Sequence, residues 1–352
     1  MSKLNVAIVG CGLVSIDHMK AWRKVPKAKV VAVDDVSEKL AENMANTWKV
    51  PSYYTSFSKL LQRKDLDIVD ICTPPHTHAP LAVQAMQSGF NVLLEKPMTM
   101  TTSESEQIVR FRNSTGMKAG VIHNWLFEPS VLEAASCVKR GVLGNVYSVE
   151  VEAIGTKYDS MASNENHWCH KFPGGRFSEM LAHPIYLTQH FLNGEIQIDS
   201  LSVSKIGDYG WMKSDELNVV YRVGEKIGRT NASFNASRDA IFINLYGTEA
   251  ILKAEVINAT VNVLPKRRNS RFDKGFDSVR QAIQLAKSTA KNALSIASGR
   301  WLSGHDLYIK MFAESILSDT TPPVSAEDGC EVVQVLEKTC REIETLESKL
   351  PD

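Results

Sequence analysis

The stretch Val6-Ala7-Ile8-Val9-Gly10-Cys11-Gly12-Leu13-Val14-Ser15 decides the fold: an apolar strand runs into a glycine turn and out into a helix. A second apolar run, Val30-Val31-Ala32-Val33, ends at Asp34. Together these are the parts of a dinucleotide site. Gly10 permits the tight turn and Gly12 lets the backbone approach a pyrophosphate. The helix that opens at Leu13 and Val14 turns its unpaired N–H groups and positive dipole end toward that anion. The Asp34 carboxylate can accept from both ribose hydroxyls and would repel a 2′-phosphate, so the pattern favours NAD over NADP. Ser15 takes the place of the third glycine, a position that governs helix-on-strand packing rather than phosphate contact.

Outward from that turn, residues 1–122 alternate strand and helix in the doubly wound manner, with strands at 5–9, 29–33, 68–72, 91–94 and 119–123. The segments between carry helical spacing, as at Leu81, Ala82, Ala85 and Met86. Then the pattern changes. A helix over 130–139 stops at Gly141, and β-rich runs follow at 146–154, 198–206, 217–223, 230–235, 241–246, 250–256 and 260–264. Several alternate apolar and polar residues, as in a sheet with one face under helices and the other left to meet another subunit. An amphipathic helix over 327–350 closes the pattern. At 352 residues the chain is long for one core, and the expected division is 1–122 and 123–352.

Forty basic and forty acidic residues cancel, which removes the electrostatic argument for nucleic acid as the main ligand. Six cysteines without paired spacing read as reduced thiols. No apolar run approaches the roughly 20 residues of a membrane span, and no signal peptide precedes Val6. The expected location is cytoplasmic.

Two segments leave the carboxyl ends of parallel strands, where ligands bind in open α/β sheets. They are Thr73-Pro74-Pro75-His76-Thr77-His78 and Glu95-Lys96-Pro97. A lysine after a strand is ordinarily a solvated surface group, but this placement sets Lys96 near the nicotinamide end of a cofactor. A second cluster is Gly174-Gly175-Arg176-Phe177-Ser178-Glu179-Met180-Leu181-Ala182-His183-Pro184. Glu179 and His183, four apart, share a helix face, where a carboxylate can orient an imidazole or raise its basicity. An unperturbed histidine titrates near pH ~6.5, which suits a proton acceptor. Pro184 cannot donate to the Met180 carbonyl, so the helix kinks or restarts there.

His167-Trp168-Cys169-His170 puts three possible ligands in four residues, yet no partner pair has zinc spacing. It reads as a substrate-lining loop with Trp168 as an aromatic platform, and no metal is expected. The segment 266–300 holds nine basic residues against Asp273 and Asp277. A peripheral membrane helix, a lid over an anionic substrate and a solvated helix all fit that bias.

On these residues the chain resembles the Gfo/Idh/MocA oxidoreductases over nearly its whole length. The resemblance rests on the glycine turn, Asp34, Thr73-Pro74 with His78, Glu95-Lys96-Pro97, Gly174-Gly175 followed by His183, and Pro322-Pro323-Val324-Ser325 leading into Glu327-Asp328-Gly329. It implies an N-terminal Rossmann domain with a doubly wound parallel sheet. A C-terminal α+β domain follows, with a mostly antiparallel open sheet that forms a homodimer or homotetramer. It also implies hydride transfer between a nicotinamide and a secondary alcohol of a sugar, nucleotide sugar or cyclitol. The cofactor would meet Gly10, Gly12, Leu13, Val14, Asp34, Thr73, Pro74, His78, Glu95 and Lys96. The substrate would meet Lys96, Asn124, His167, Trp168, Arg176, Glu179 and His183. In the catalytic set His183 takes the hydroxyl proton, Glu179 orients it and Lys96 stabilises the oxygen. Three positions depart from the family pattern: Glu179 where Asp is common, Leu126 where many relatives carry Arg, and Pro75 where Asn is common. Such a family also contains NAD-using glycosidases or lyases that pass through a transient keto-sugar, and non-catalytic cofactor-sensing regulators.

Overall fold

Leu4–Val9 (β1) is buried along almost its whole length, as a central strand covered on both faces must be. After it come α1 (Leu13–Arg23), β2 (Ala28–Asp34), α2 (Glu38–Trp48), β3 (Ser52–Tyr54), α3 (Phe57–Leu60) and β4 (Ile68–Ile71). Next are α4 (His78–Gln87), β5 (Asn91–Leu94), α5 (Thr102–Thr115) and β6 (Ala119–Val121). The computed structural model describes residues 3–266 and 271–350, with the side chains of 271–274 left aside. The six strands pair in parallel in the order β3-β2-β1-β4-β5-β6. The order reverses between β1 and β4, and a crevice opens at the carboxyl ends there.

The second sheet is built from β7 (Val146–Thr156), β8 (Gln197–Ser204), β9 (Glu216–Val223), β10 (Lys226–Ala236), β11 (Ala240–Gly247), β12 (Ala250–Glu255) and β13 (Thr260–Pro265). Its order is β13-β12-β11-β7-β10-β9-β8, and only the β10–β7 pair is parallel. The expected architecture, α/β with a Rossmann sheet followed by a mostly antiparallel open sheet, is what the chain adopts. Alternation sets the faces: Leu217, Val219, Tyr221 and Val223 are buried, whereas Asn218 and Arg222 point out. The helices of this part are α6 (Pro129–Lys139), α7 (Gly175–Met180), α8 (Ala182–Leu192) and α9 (Arg271–Ala297). On the covered face, α8 lies on β7 and β10. Gly228 permits that approach, because a Cβ there would sit 2.5 Å from Cγ2 of Thr188.

Two more helices, α10 (Gly304–Leu317) and α11 (Ala326–Glu347), end the chain. The molecule comprises two units, Met1–Asn124 with Ser303–Glu337, and Trp125–Leu302 with Lys338–Asp352. In these units α10 and most of α11 go with the parallel sheet. The reason is close packing on its edge. A Cβ at Gly120 would lie 2.8 Å from the Phe312 ring and the Tyr308 hydroxyl, and one at Gly329 would lie 2.7 Å from Val121. The Val121 N–H donates to the Val324 carbonyl, and Ser325 bridges Gly120. The Pro322-Pro323-Val324-Ser325 motif thus joins the sheet edge and then caps α11, with Asp328 accepting from Ser325 N–H at 2.7 Å. Among the described residues no helix is long and apolar enough to cross a membrane. All six cysteines are buried and none is in a disulfide.

Candidate active site

Gly10 has φ +91°, and a Cβ there would stand 2.9 Å from the Cys72 and Thr73 backbone, so this turn requires glycine. Gly12 caps α1 without any side-chain hydrogen bond, and no acid occupies the first helical turn. A Cβ at Gly12 would meet nothing within 4 Å, so open space lies over the helix N-terminus, as an incoming pyrophosphate requires. Leu13 is exposed and Ser15 is buried, its hydroxyl donating to the Gly12 carbonyl at 2.5 Å. Asp34 is 5% exposed, and its Oδ1 is buried with no hydrogen-bond partner. A buried carboxylate oxygen without a donor is costly unless a ligand supplies one. These features fit a dinucleotide. Burial, reinforced by neighbouring Asp35, pushes the Asp34 carboxyl up to about 6.

Asp35 is a residue that sequence reasoning passed over. Its carboxylate accepts from Cys11 N–H and Ser37 N–H, both at 2.8 Å, and so fastens the glycine turn to the end of β2. The signal was present as a second acid directly after the strand. Thr73 and Pro74 follow β4 beside that turn. His78, expected on the cofactor, is instead a fully buried brace. Its ring nitrogens stand 2.7 Å from the Thr73 carbonyl and 3.1 Å from the Met98 carbonyl, tying the loops after β4 and β5 together.

Behind Lys96 lies a buried network that the sequence reading did not assemble. His18 of α1 sets Nδ1 at 2.9 and 3.0 Å from the two oxygens of Asp70, and Nε2 at 2.9 Å from Oε1 of Glu95. Trp22 Nε1 donates to Asp70 at 2.6 Å, and His305 Nε2 lies 3.4 Å from Glu95. Burial alone would lower the His18 pKa, but Asp70 overrides it and holds the group well above its ordinary value. Burial would likewise raise Glu95, yet His18 and His305 hold it well below the usual range. The second Glu95 oxygen accepts the Lys96 N–H at 2.9 Å, and the Lys96–Pro97 peptide is cis. Glu95, expected to touch the cofactor, therefore fixes the Lys96 backbone from behind. His123, at the end of β6, is also buried; burial, with Lys96 adding, depresses it to about 3 and leaves it neutral. Asn124 follows it, half-buried.

In the other unit, Pro184 restarts the helix as expected: α7 ends at Met180 and α8 begins at Ala182. His183 is 7% exposed. Its ring stacks on Trp125 with centroids 3.9 Å apart, and Nδ1 lies 2.6 Å from the Tyr186 hydroxyl oxygen. That oxygen also accepts Trp125 N–H at 3.0 Å. Nδ1 is thus engaged by Tyr186, and Trp125 sets the plane of the ring. Glu179 is held by Arg176, whose guanidinium also grips Asp159 through Nε at 3.0 Å and Nη2 at 3.1 Å and lies over the Phe234 ring. Asp159 would be raised by burial, but Arg176 lowers it. Arg176 and Glu179, expected on the substrate, thus belong to a buried ion-paired group with Asp159. Trp125, Tyr186 and Asp159 are the residues that sequence reasoning missed here.

His167 caps the short turn Trp168–Lys171 and stands 3.1 Å from the Cys169 thiol, while Nε2 of His170 faces the Met161 carbonyl. Burial pushes the Cys169 thiol up to about 12, so it stays protonated. Trp168 packs edge-on against Phe172. Among the described residues the sets spaced closely enough for a cation are His18-Asp70-Cys72 and His18-Glu95-His305, whose members already hydrogen-bond within the network. In the basic segment, Arg267 and Arg268 lie outside the described residues.

A glycine turn opening a helix in a doubly wound sheet, joined to an open antiparallel sheet, defines a two-unit dinucleotide-binding protein. The chain belongs to the Gfo/Idh/MocA oxidoreductase family. Residues 4–123 match its NAD-binding Rossmann fold and residues 135–346 its C-terminal alpha/beta domain. An oxidoreductase of Formosa agariphila is 31% identical over 202 residues, 56% of this chain and 62% of that protein. An inositol 2-dehydrogenase of Saccharopolyspora erythraea is 32% identical over 146 residues, 40% of this chain and 43% of that one. The chain thus spans less than two thirds of either relative. In fold it is similar to the WlbA dehydrogenase of Bordetella pertussis, solved with NADH and UDP-GlcNAcA, with a TM-score of 0.79 at 16% identity over 99% of this chain and 97% of that one.

Proposed function

We propose that the protein is an NAD-dependent dehydrogenase acting on a secondary alcohol of a sugar, nucleotide sugar or cyclitol. The observation that carries this reading is the open N-terminus of α1 together with the unpaired Oδ1 of Asp34, in a chain of an oxidoreductase family. Gly10, Gly12, Leu13 and Val14 would cradle the pyrophosphate, Asp34 would take the ribose hydroxyls, and Thr73 and Pro74 would line the same groove. NAD, when bound, supplies the hydride acceptor. His183 takes the hydroxyl proton at Nε2, with Tyr186 holding Nδ1 and Trp125 fixing the plane of the ring. Lys96 donates to the substrate oxygen and stabilises the negative charge it acquires. Trp168, His167 and Asn124 complete the substrate contacts, and the Arg176-Glu179-Asp159 group holds α7 in place. A screen of free polyols, sugar phosphates and nucleotide sugars tests the reading by absorbance of reduced cofactor. Reduction with at least one polyol class is expected, and silence across all three would sink it.

The choice of NAD over NADP has its own test. Asp34, with its carboxyl at about 6, is ionised at pH 8 and largely neutral near pH ~5, so its repulsion of a 2′-phosphate fades on acidification. The ratio of NADP to NAD dissociation constants should therefore fall several-fold from about pH 8 to about pH 5. Asp34→Asn should give a ratio that is low and flatter with pH. A wild-type ratio that does not change would exclude Asp34 as the discriminating acid.

A further inference from the structure

The polarity of α9 is inverted. Among its described side chains the half-buried ones are Asp277, Gln281, Gln284, Ser288, Asn292 and Ser295, and every one is polar. They line the face that docks on β13, an edge strand whose outer N–H and C=O groups need partners. Gln284 accepts Val263 N–H at 2.8 Å and donates to the Val263 carbonyl at 3.0 Å, while Asn292 donates to the carbonyls of Asn258 and Ala259. The helix thus closes the sheet edge with side-chain amides, and its apolar residues are left outside. By helical spacing Phe276, Val279, Ile283, Ala290 and Leu294 share the opposite face. Phe276 is 64% exposed, Ile283 49% and Leu294 71%. A surface helix ordinarily buries its apolar stripe against its own core.

A row of bases runs along one border of that stripe. Arg280, Lys287 and Lys291 are exposed and spaced by whole helical turns, so they share a side of the helix. Between residues 278 and 305 the sequence has no acidic residue. Lys291 faces Glu133 of α6 at 3.9 Å, a separation at which an exposed pair holds weakly. On the other border the sheet groove sets Glu152 and Glu255 against Arg238 and Lys253, so its charges balance. The outer side of α9 is therefore apolar along its middle and positive along one edge.

We infer that α9 is an interfacial helix: it lies flat on an anionic lipid bilayer, with its apolar stripe sunk to the level of the acyl chains and its bases among the headgroups. Such a helix needs an apolar face bordered by Lys and Arg, which is the arrangement found here. Two observations choose lipid over a protein surface. Lysine is depleted at protein interfaces, whereas an anionic headgroup layer gains from each one. The stripe is also uneven, with Phe276, Ile283 and Leu294 standing up between alanines at 286 and 290, and fluid chains fill such gaps where a rigid partner would have to match them. Among the described residues no helix is apolar enough to cross a bilayer, so the contact is with one leaflet. The inference does not depend on the substrate.

Co-sedimentation of the purified full-length chain with vesicles of one part phosphatidylserine to two parts phosphatidylcholine tests it. Binding is expected at low salt, weakening as salt screens the bases, and is expected to be far weaker on phosphatidylcholine alone. Ile283→Asp with Leu294→Asp, at positions already solvent-exposed, should weaken binding by at least on the order of 100-fold, with circular dichroism and NAD binding unchanged. Should that variant fail to fold, Arg280→Gln with Lys287→Gln alters exposed charge alone and should weaken binding about 25-fold, at about fivefold for each base. Wild type that stays in the supernatant would overturn the inference. So would folded variants that bind as wild type does, or equal binding to both kinds of vesicle. A chain that ignores vesicles but loses self-association in Ile283→Asp with Leu294→Asp would assign the stripe to a second copy and overturn it as well.

Discussion

His183→Ala and Lys96→Met should each lower turnover by roughly 100-fold or more, the scale of a lost acid-base or charge-stabilising group, while NADH still binds. The expectation for His183 comes from how little freedom its ring has. Trp125 stacks on one side and Tyr186 holds Nδ1, so the orientation of the ring is set before any substrate arrives. Alanine removes the acceptor and leaves the glycine turn untouched. Tyr186→Phe removes the hydroxyl that meets both Nδ1 and the Trp125 N–H, and a loss of at least about tenfold in turnover is expected. For Lys96 the ammonium is removed while the backbone stays fixed, because Glu95 holds the Lys96 N–H. The check is steady-state turnover beside a direct titration of NADH. Turnover unchanged in both single variants would remove the assignment, and loss of NADH binding in His183→Ala would show that the residue serves another purpose.

His18→Leu should cost roughly 3–5 kcal/mol of stability, the penalty of leaving buried charge without its partner. His18 is fully buried between Asp70 and Glu95, and both ring nitrogens are engaged by those carboxylates. Its folded-state pKa lies well above the unfolded value. The stabilisation it provides is therefore fully present below pH ~6.5 and is lost only as the pH rises through the raised folded value. Because that contribution diminishes as the pH rises above ~6.5, the deficit of the leucine variant should widen from about pH 8 to about pH 6. Urea midpoints of the two proteins at those pH values measure it. A deficit under about 1 kcal/mol, or one independent of pH, would mean that the network holds no net charge pair.

Both sheets were legible because the spacing of apolar residues carries the information directly. The continuous apolar runs of the first part are strands covered on both faces, and the alternating runs of the second are strands covered on one. Ser52–Tyr54 escaped notice since a three-residue edge strand has no room for a pattern. The return of Ser303–Glu337 to the first unit was not legible either, because an amphipathic helix states that it packs without stating on what. Within the site, the glycine turn and the restart at Pro184 follow from backbone chemistry local to the chain. The His18 network does not, as its members come from α1, β4, the end of β5 and the start of α10. One clue was present: Asp70 inside Ile68-Val69-Asp70-Ile71 puts an acid in a strand with no solvent-facing side, and such an acid must find a buried donor. Trp125 and Tyr186 were hidden for a similar reason, since stacking on an imidazole leaves no mark in spacing. The polarity of α9 was visible as a stripe, but only its hydrogen bonds to β13 show that the stripe faces outward.

The most direct measurement is the stoichiometry of a complete turnover, with NAD supplied in excess and both products quantified. One ketone should form for each NADH that accumulates, and His183→Ala should suppress the two together. Cofactor that remains oxidised while substrate is consumed would contradict a net dehydrogenation, and so would NAD that binds without any polyol being converted.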